Sequence, residues 1–346
     1  MPEVNQISTN TSPQEQPSET TARGGSLWRA IGAFLLRRRE ASVFLIAIVL
    51  ILVFQFANSN FLTLGSIKTL AEYSAETTII AVGEVMLLIC GEIDLSVGFT
   101  FAFAPFIMYF INQQGVPLFL SIIAALLVCA VIGTINGVVT VYFKVPSFIA
   151  TLGAYFYLNG LTLTISNAFP ATPPDTGSFW NGILGNNIYW ESFWAILLVV
   201  IMQFVLSKTR WGLYTVSSGS NPHGSSEVGI SVNAIKIRNF ILASMLAGLA
   251  GIMAAFRITS IDPTAGGADI MFQAVSGAVI GGTALQGGAG TIIGAFLGTL
   301  VLMILKDGLT LVGVSAFAFD IILGVMIVVA MIVNIRLQQL RRAGRA

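Results

Sequence analysis

Long apolar runs separated by short polar segments recur along almost the whole sequence from residue 41 onward. The runs over 41–57 and 118–141 contain no charged residue. A helix needs about 20 mostly apolar residues to cross the hydrocarbon layer of a bilayer. The repeated runs therefore predict an all-α fold, a polytopic bundle of transmembrane helices.

The apolar pattern divides into about ten predicted spans. They cover residues 41–57, 68–90, 95–111, 117–142, 147–165, 190–206, 238–257, 270–283, 290–306 and 316–335. Because ten is even, both termini should lie on one side of the membrane. Basic residues precede the first span, at 37–39, and follow the last, at 336–345. Since basic residues favour the cytoplasmic side, the predicted orientation is N-in/C-in.

The loops agree with this orientation apart from three charges. The loop over 207–237 would lie inside and carries Lys208, Arg210 and Lys236, with Arg238 directly after it, whereas the loop over 166–190 would lie outside and carries no Lys or Arg. Lys68, Arg257 and Lys306 fall near outside ends. We interpret them as single charges whose long side chains snorkel towards water.

The chain divides into one membrane domain with a polar segment at each end. We predict a disordered cytoplasmic tail over residues 1–36, because residues 1–25 are polar and poor in apolar side chains. The transmembrane domain spans 37–336 and contains a cytoplasmic loop at about 207–237. Residues 337–346 form a basic cytoplasmic tail.

Composition supports a membrane protein and argues against other classes. The chain is 55% hydrophobic and 10% charged, against roughly 25% charged in soluble domains. A net charge of +1 does not suggest nucleic acid binding. Cys90 and Cys129 lie in apolar runs, which predicts small buried side chains. A single histidine, His223, cannot form a metal site or a Ser-His-Asp site by itself, so no catalytic residue and no metal ligand is predicted.

Two carboxylates interrupt the apolar pattern between the second and third spans. Glu92 and Asp94 lie in the segment from Gly91 to Gly98, which also contains Ser96. Charge at membrane depth is costly and normally marks a functional or paired site. The segment predicts a turn between two spans near the inner face. The alternative is an ordinary cytoplasmic turn with solvated acids.

The segment over 218–230 predicts a short cytoplasmic helix. Asn221 is a typical N-cap, Pro222 a typical first residue, and Gly229 would end the helix. This helix could dock another protein or could be a plain connector.

Glycines interrupt the pattern again over 281–290. They predict either discontinuous helices beside a substrate path or a tight turn between two packed helices. The small-residue spacing of Gly133 with Gly137, and of Gly290, Gly294 and Gly298, predicts close helix packing.

These motifs together resemble the permease subunits of bacterial ABC importers for simple sugars such as ribose, xylose, arabinose and galactose. Gly91–Gly98 reads GEIDLSVG, similar to the family pattern GGIDLSVG. Three further motifs follow in the same order as in the family, at Pro263–Gly266, 281–290 and 306–313. The resemblance covers most of the chain, from about Phe61 to Val333.

The resemblance implies a transport subunit rather than an enzyme. It would carry a monosaccharide, ribose-like or xylose-like, across a bacterial cytoplasmic (inner) membrane. It implies a homodimer or a sister permease, a separate ATPase subunit that binds ATP and Mg, and an extracytoplasmic sugar-binding protein; this chain itself would bind no cofactor. The implied ATPase-coupling residues are Asn221, Pro222, Gly224, Ser225, Gly229 and Ile230.

The sequence departs from the family pattern at three places. Glu92 replaces a glycine. Gly224 and Ser225 replace a pair of alanines. Met271 and Gln273 stand where the family often has acidic residues, which leaves the identity of the cargo open.

A sugar path needs hydroxyl partners and an aromatic face. The candidate lining residues are Asn136, Tyr155, Tyr157, Asn159, Gln273 and Thr283. Each polar one could equally satisfy a neighbouring helix. The alternative functions are import of another small polar solute (autoinducer-2, a polyol, a nucleoside or a branched-chain amino acid), an ATP-independent secondary transporter, and a membrane-embedded enzyme.

Overall fold

The computed structural model describes residues 39–174, 179–185 and 188–343. The predicted tail over 1–36 lies outside the described residues, and so do the last three residues of the predicted tail over 337–346. In the described part of the chain, 79% of the residues are helical and no strand occurs. Its helices are α1 Arg39–Ala57, α2 Leu64–Ile89, α3 Val97–Gln113, α4 Leu118–Val141, α5 Ser147–Ser166, α6 Phe179–Leu184, α7 Ile188–Lys208, α8 Arg210–Ser220, α9 Pro222–Glu227, α10 Val232–Arg257, α11 Gly267–Ile280, α12 Ile292–Leu311 and α13 Ala316–Ala343.

A helix overlaps each of the ten predicted spans, but the helices differ in their ability to cross a membrane. Within the described ranges, six are long and apolar enough to do so, namely α1, α4, α5, α7, α10 and α12. Two further helices, α3 and α11, and the stretch Phe317–Val329 of α13 are apolar but shorter. The 26-residue α2 is long enough but carries four charged side chains, which lower its hydropathy.

The centre of the bundle is formed by α2 and α10. Every residue of α2 from Ser74 to Ile89 is buried, and α10 is buried almost continuously from Leu246 to Phe256. The α10 helix packs against α2, α3 and α4. Both cysteines are buried, as predicted. Because α2 has no free face along this half, any charge on it requires a partner inside the protein.

Glycines allow the helix backbones to touch, as the small-residue spacing predicted. A β-carbon on Gly137 of α4 would lie 3.0 Å from the Cα of Ile237 on α10. A β-carbon on Gly298 of α12 would overlap the carbonyl oxygen of Gly277 on α11. The helical pattern stops at Ile280 and resumes at Ile292. Since α11 and α12 pack against each other across this break, it is a turn between packed helices.

Candidate functional site: the interruption between α2 and α3

The chain folds back on itself between α2 and α3. The α2 helix ends at Ile89, and Gly91 has a φ of +78°, a left-handed conformation that favours glycine. The backbone N–H of Glu92 then donates to the carbonyl of Leu87 at 3.1 Å. This reversal brings the residues after Gly91 back alongside the last turns of α2, within the protein.

Side chains supply the hydrogen bonds that this non-helical backbone needs. Ser147 and Thr151 of α5 accept from the N–H groups of Ile93 and Leu95, at 3.3 and 3.0 Å. The carboxylate of Asp94 accepts from the N–H of Ser96 at 2.9 Å. Irregular backbone at membrane depth persists only where it is buried in protein and satisfied in this way. The N-terminus of α5 therefore fixes the shape of the interruption.

Asp94 is fully buried at the centre of a polar cluster. Its Oδ1 accepts from the Ser96 hydroxyl at 2.5 Å, and its Oδ2 accepts from the Ser244 hydroxyl on α10 at 3.4 Å. Asn136 of α4 donates to the Ser96 hydroxyl at 2.8 Å and approaches Asp94 Oδ1 at 3.5 Å. The α3 helix also begins here, and its N-terminal dipole favours an anion. The interpretation as a solvated cytoplasmic turn is therefore wrong for Asp94.

Glu92 lies closer to the surface and forms an ion pair. Its Oε1 lies 2.5 Å from the Nζ of Lys236, and the two side chains are 12% and 19% exposed. Lys236 is in the first turns of α10, at the end of the segment 207–237 that was predicted as a cytoplasmic loop. The extra acid at position 92 therefore joins the interruption to the start of α10.

Gly98 is the last residue of the signature segment and lies where two helices touch. A β-carbon there would overlap the carbonyl oxygen of Gly267, the first residue of α11, and would lie 3.3 Å from the Cβ of Met271. Position 271, where the family often has an acid, is 4% exposed here. The apolar replacement therefore lies against the signature segment, among buried side chains.

Sequence reasoning missed a second buried carboxyl group beside the cluster. Glu84 of α2 is 0% exposed and its carboxyl group lies beside Asp94. The sequence did contain a signal, because Glu84 is a carboxylate inside the apolar run over 68–90. Burying its charge in a membrane costs as much free energy as burying that of Asp94. Two fully buried acidic groups, Glu84 and Asp94, thus lie at the level of the interruption.

A second buried charge cluster lies near the middle of α2. Arg257, at the end of α10, contacts Glu76 of α2 at 2.9 Å and Glu191 of α7 at 3.8 Å. Its guanidinium also lies 4.7 Å from the centroid of the Tyr73 ring. The Arg257 side chain is 14% exposed, and those of Glu76 and Glu191 are 5% and 0% exposed. The expectation that Arg257 snorkels as a single charge is wrong, because two buried acids hold it inside the bundle.

The short helix predicted over 218–230 is present as α9. The Asn221 side chain accepts from the N–H of Gly224 at 3.0 Å, and Pro222 is the first helical residue. At the other end, Gly229 has a φ of +82°, and the N–H of Ile230 donates to the carbonyl of Ser225 at 3.0 Å. This is the left-handed glycine cap that ends many helices. The local fold of the segment is therefore as predicted.

The candidate path residues do not form one cluster. Asn136 belongs to the Asp94 cluster described above. Tyr155 packs edge-on against Phe99 with ring centroids 4.6 Å apart. Tyr157 is 42% exposed and Asn159 is half-buried, whereas Gln273 is 5% exposed and Thr283 is fully buried. Asn136 is joined by hydrogen bonds to the signature segment, and the lining role of the others stays a prediction.

Comparison with known proteins gives one family and several relatives. A family model described as "Branched-chain amino acid transport system / permease component" matches residues 66–331. The chain is 37% identical over 310 residues to the xylose/arabinose import permease of Sulfolobus acidocaldarius, covering 87% of this chain and 86% of the relative. It is 33% identical over 292 residues to the ribose import permease of Escherichia coli K12, covering 83% and 91%.

A third relative is named for a different solute. The autoinducer 2 import system permease of Yersinia enterocolitica serotype O:8 is 29% identical over 307 residues, covering 88% of this chain and 85% of the relative. No solved structure matches the chain.

Proposed function

Since the chain belongs to the family of permease components of the branched-chain amino acid transport system type, we propose that it is the membrane subunit of an ATP-driven importer for a monosaccharide. Members of this family are transport subunits and not enzymes. The observation that carries the proposal is similarity, over most of the chain, to permeases named for xylose/arabinose and for ribose. The carried sugar is then ribose-like or xylose-like and is delivered by an extracytoplasmic binding protein.

The cargo is tested by uptake into proteoliposomes that contain the chain with its ATPase and binding protein. Labelled xylose and ribose are compared with labelled leucine, since the family description names branched-chain amino acids. We expect uptake of a pentose and none of leucine. Leucine uptake without pentose uptake would overturn the sugar assignment, and uptake of a polyol, a nucleoside or autoinducer-2 alone would replace it.

Ten membrane crossings with both termini inside form part of the proposal. In that arrangement, segments assigned to one side of the membrane should contact each other. Ala171 pairs with Ile261, and the Asn58 amide donates to the carbonyl of Leu311; all four lie on the proposed outer side. On the proposed inner side, the N–H of Gly288 donates to the carbonyl of Ile89 at 2.8 Å.

The orientation is testable at two loops of opposite side. Single cysteines replacing Gly115, proposed outside, and Gly229, proposed inside, would react with a membrane-impermeant maleimide from opposite faces of the inner membrane. Both native cysteines are buried. Labelling of both positions from the same face would contradict the topology.

The α8–α9 segment is the proposed docking site for the ATPase. The chain contains helices α8 and α9 between α7 and α10, and α9 packs against α8 and α10. His223 and Glu227 are on α9 with side chains 90% and 68% exposed, so this helix presents a polar surface. A polar helix between two spans suits a protein partner better than lipid.

Gly229→Trp is predicted to abolish co-purification of the ATPase with the chain. Gly115→Trp is the matched control, because both glycines have positive φ, at +82° and +84°, and a β-carbon on either meets no atom within 4 Å. The strain of the substitution is therefore equal, and only the position differs. Equal co-purification by the two variants would contradict docking at α9.

A homodimer, or a pair with a sister permease, completes the proposed transporter. Sugar would pass between two permease chains while ATP binding closes the ATPase pair. Under this proposal the bound ATP and Mg belong to the ATPase subunits, and the cluster at Asp94 lies in the segment that moves between the two states of the permease.

A further inference from the structure

Three stretches of backbone meet without intervening side chains at the inner end of α2. Gly219 lies in the last turn of α8, and a β-carbon there would overlap the carbonyl oxygen of Ile89 and lie 2.8 Å from the backbone nitrogen of Gly288. No residue other than glycine fits this position without displacing α8 or α2. We call Gly219, Ile89 and Gly287–Gly288 the glycine junction.

The glycine-rich segment 281–290 between α11 and α12, here called the glycine loop, is fixed to α2 at the same point. The N–H of Gly288 donates to the carbonyl of Ile89 at 2.8 Å. Gly287 has a φ of +84°, and a β-carbon there would lie 2.9 Å from the Gly219 carbonyl oxygen and 3.1 Å from that of Ile89. Each stretch therefore touches the other two through backbone atoms.

A second connection joins α8 to α2 one turn earlier. Asn239 of α10 is fully buried and donates to the carbonyl of Met86 on α2 at 3.0 Å. It accepts from the indole N–H of Trp211 on α8 at 2.8 Å. Because α8 is held to α2 at Met86 and again at Ile89, the two helix ends cannot rotate independently without breaking these contacts.

The junction lies directly before the interruption that leads to Asp94. Ile89 is the last residue of α2, and two residues later Gly91 begins the reversal. Backbone packed against backbone has no side-chain rotamer that could absorb a displacement, and close-packed interiors transmit strain. A movement of α8 would therefore move Ile89 and the start of the interruption together.

We propose that Gly219 is a positioning residue for coupling, which transmits movement of the α8–α9 segment to the interruption between α2 and α3. This inference rests on the proposed function, since it requires an ATPase that moves α8–α9. In this proposal the motion passes through the backbone contacts of the glycine junction. A side chain added at Gly219 would therefore disconnect sugar movement from ATP hydrolysis.

The test is the ratio of sugar imported to ATP hydrolysed by the reconstituted transporter with its ATPase and binding protein. In Gly219→Ala, we expect this ratio to fall at least tenfold among complexes that still contain the ATPase. If Gly219 were needed only for folding, the variant would form less complex, but the complex that forms would import as much sugar per ATP hydrolysed as the wild type. An unchanged ratio in Gly219→Ala would overturn the inference.

Two glycine controls test whether any β-carbon that overlaps a neighbouring backbone has this effect, or only one at the glycine junction. A β-carbon on Gly251 would overlap the carbonyl oxygen of Phe101, where α10 meets α3. Gly251→Ala should reduce the yield of complex and keep the ratio. A β-carbon on Gly160 meets no atom within 4 Å, so Gly160→Ala should match the wild type. A ratio as low in Gly251→Ala as in Gly219→Ala would contradict a special role of the junction.

A surface variant covers the case in which Gly219→Ala does not assemble. Ser220 is exposed, and its hydroxyl lies 3.5 Å from the carbonyl oxygen of Gly288. Ser220→Leu adds volume against the glycine loop from outside the core. We expect a ratio at least fivefold lower; an unchanged ratio would overturn the inference. If the wild type imports no sugar, the proposed function fails instead.

Discussion

Replacing Arg257 by methionine is expected to lower the free energy of unfolding by about 3–5 kcal/mol, because removing one partner leaves a buried charge uncompensated. Glu76 and Glu191 are 5% and 0% exposed, and Arg257 is the cation that contacts both. Methionine keeps much of the apolar stem, so the change isolates the loss of the guanidinium. The midpoint of thermal unfolding in detergent should fall by several degrees.

Two further variants make the arginine test specific. Lys68→Met removes a cation from α2, the helix that carries Glu76. Lys68, however, is 58% exposed, and its Nζ lies 3.9 Å from a carboxylate oxygen of Glu72. Exposed pairs of this kind contribute about 0–1 kcal/mol, so this variant should be close to the wild type. Adding Glu76→Gln and Glu191→Gln to Arg257→Met should restore part of the lost stability. A midpoint for Arg257→Met equal to that of Lys68→Met would show that the cluster is not paired as described.

Replacing Asp94 by alanine is expected to abolish transport and to destabilise the interruption. Its carboxylate accepts from the Ser96 N–H and hydroxyl and from Ser244. Each buried donor that loses its acceptor costs about 1–3 kcal/mol. Without the carboxylate, the backbone between α2 and α3 would lose the shape that separates these helices.

The matched control for Asp94 is Glu92→Gln. Glu92 is in the same segment but is partly exposed and pairs with Lys236 near the surface. We expect uptake by Asp94→Ala to fall below a tenth of the wild-type rate and uptake by Glu92→Gln to stay within about threefold. A transport-competent Asp94→Ala variant would contradict the role assigned to the buried cluster.

The sequence predicted much of the local structure of this chain. Helices overlap all ten apolar segments, the α9 helix begins at the predicted Asn221 cap, and the interruptions at Gly91 and over 281–290 are present. These features depend on neighbours a few residues apart, namely apolar periodicity, capping side chains and glycines. Local patterns are therefore sufficient to predict them.

The long-range contacts could not be predicted in the same way. Glu92 and Lys236 are 144 residues apart, and Arg257 and Glu76 are 181 residues apart. No local pattern shows which buried acid faces which cation, so Arg257 was misinterpreted as a snorkelling charge. Glu84 carried a signal in its apolar surroundings, whereas nothing around Gly219 indicates a contact with Ile89. The packing of distant helices decides these cases.

The measurement that tests the central claim most directly is sugar uptake into proteoliposomes with each component omitted in turn. The account predicts that uptake requires the chain, its ATPase, its binding protein and hydrolysable ATP, and that sugar-loaded binding protein increases ATP hydrolysis. Uptake that persists without the ATPase and follows an ion gradient would contradict the account and indicate a secondary transporter.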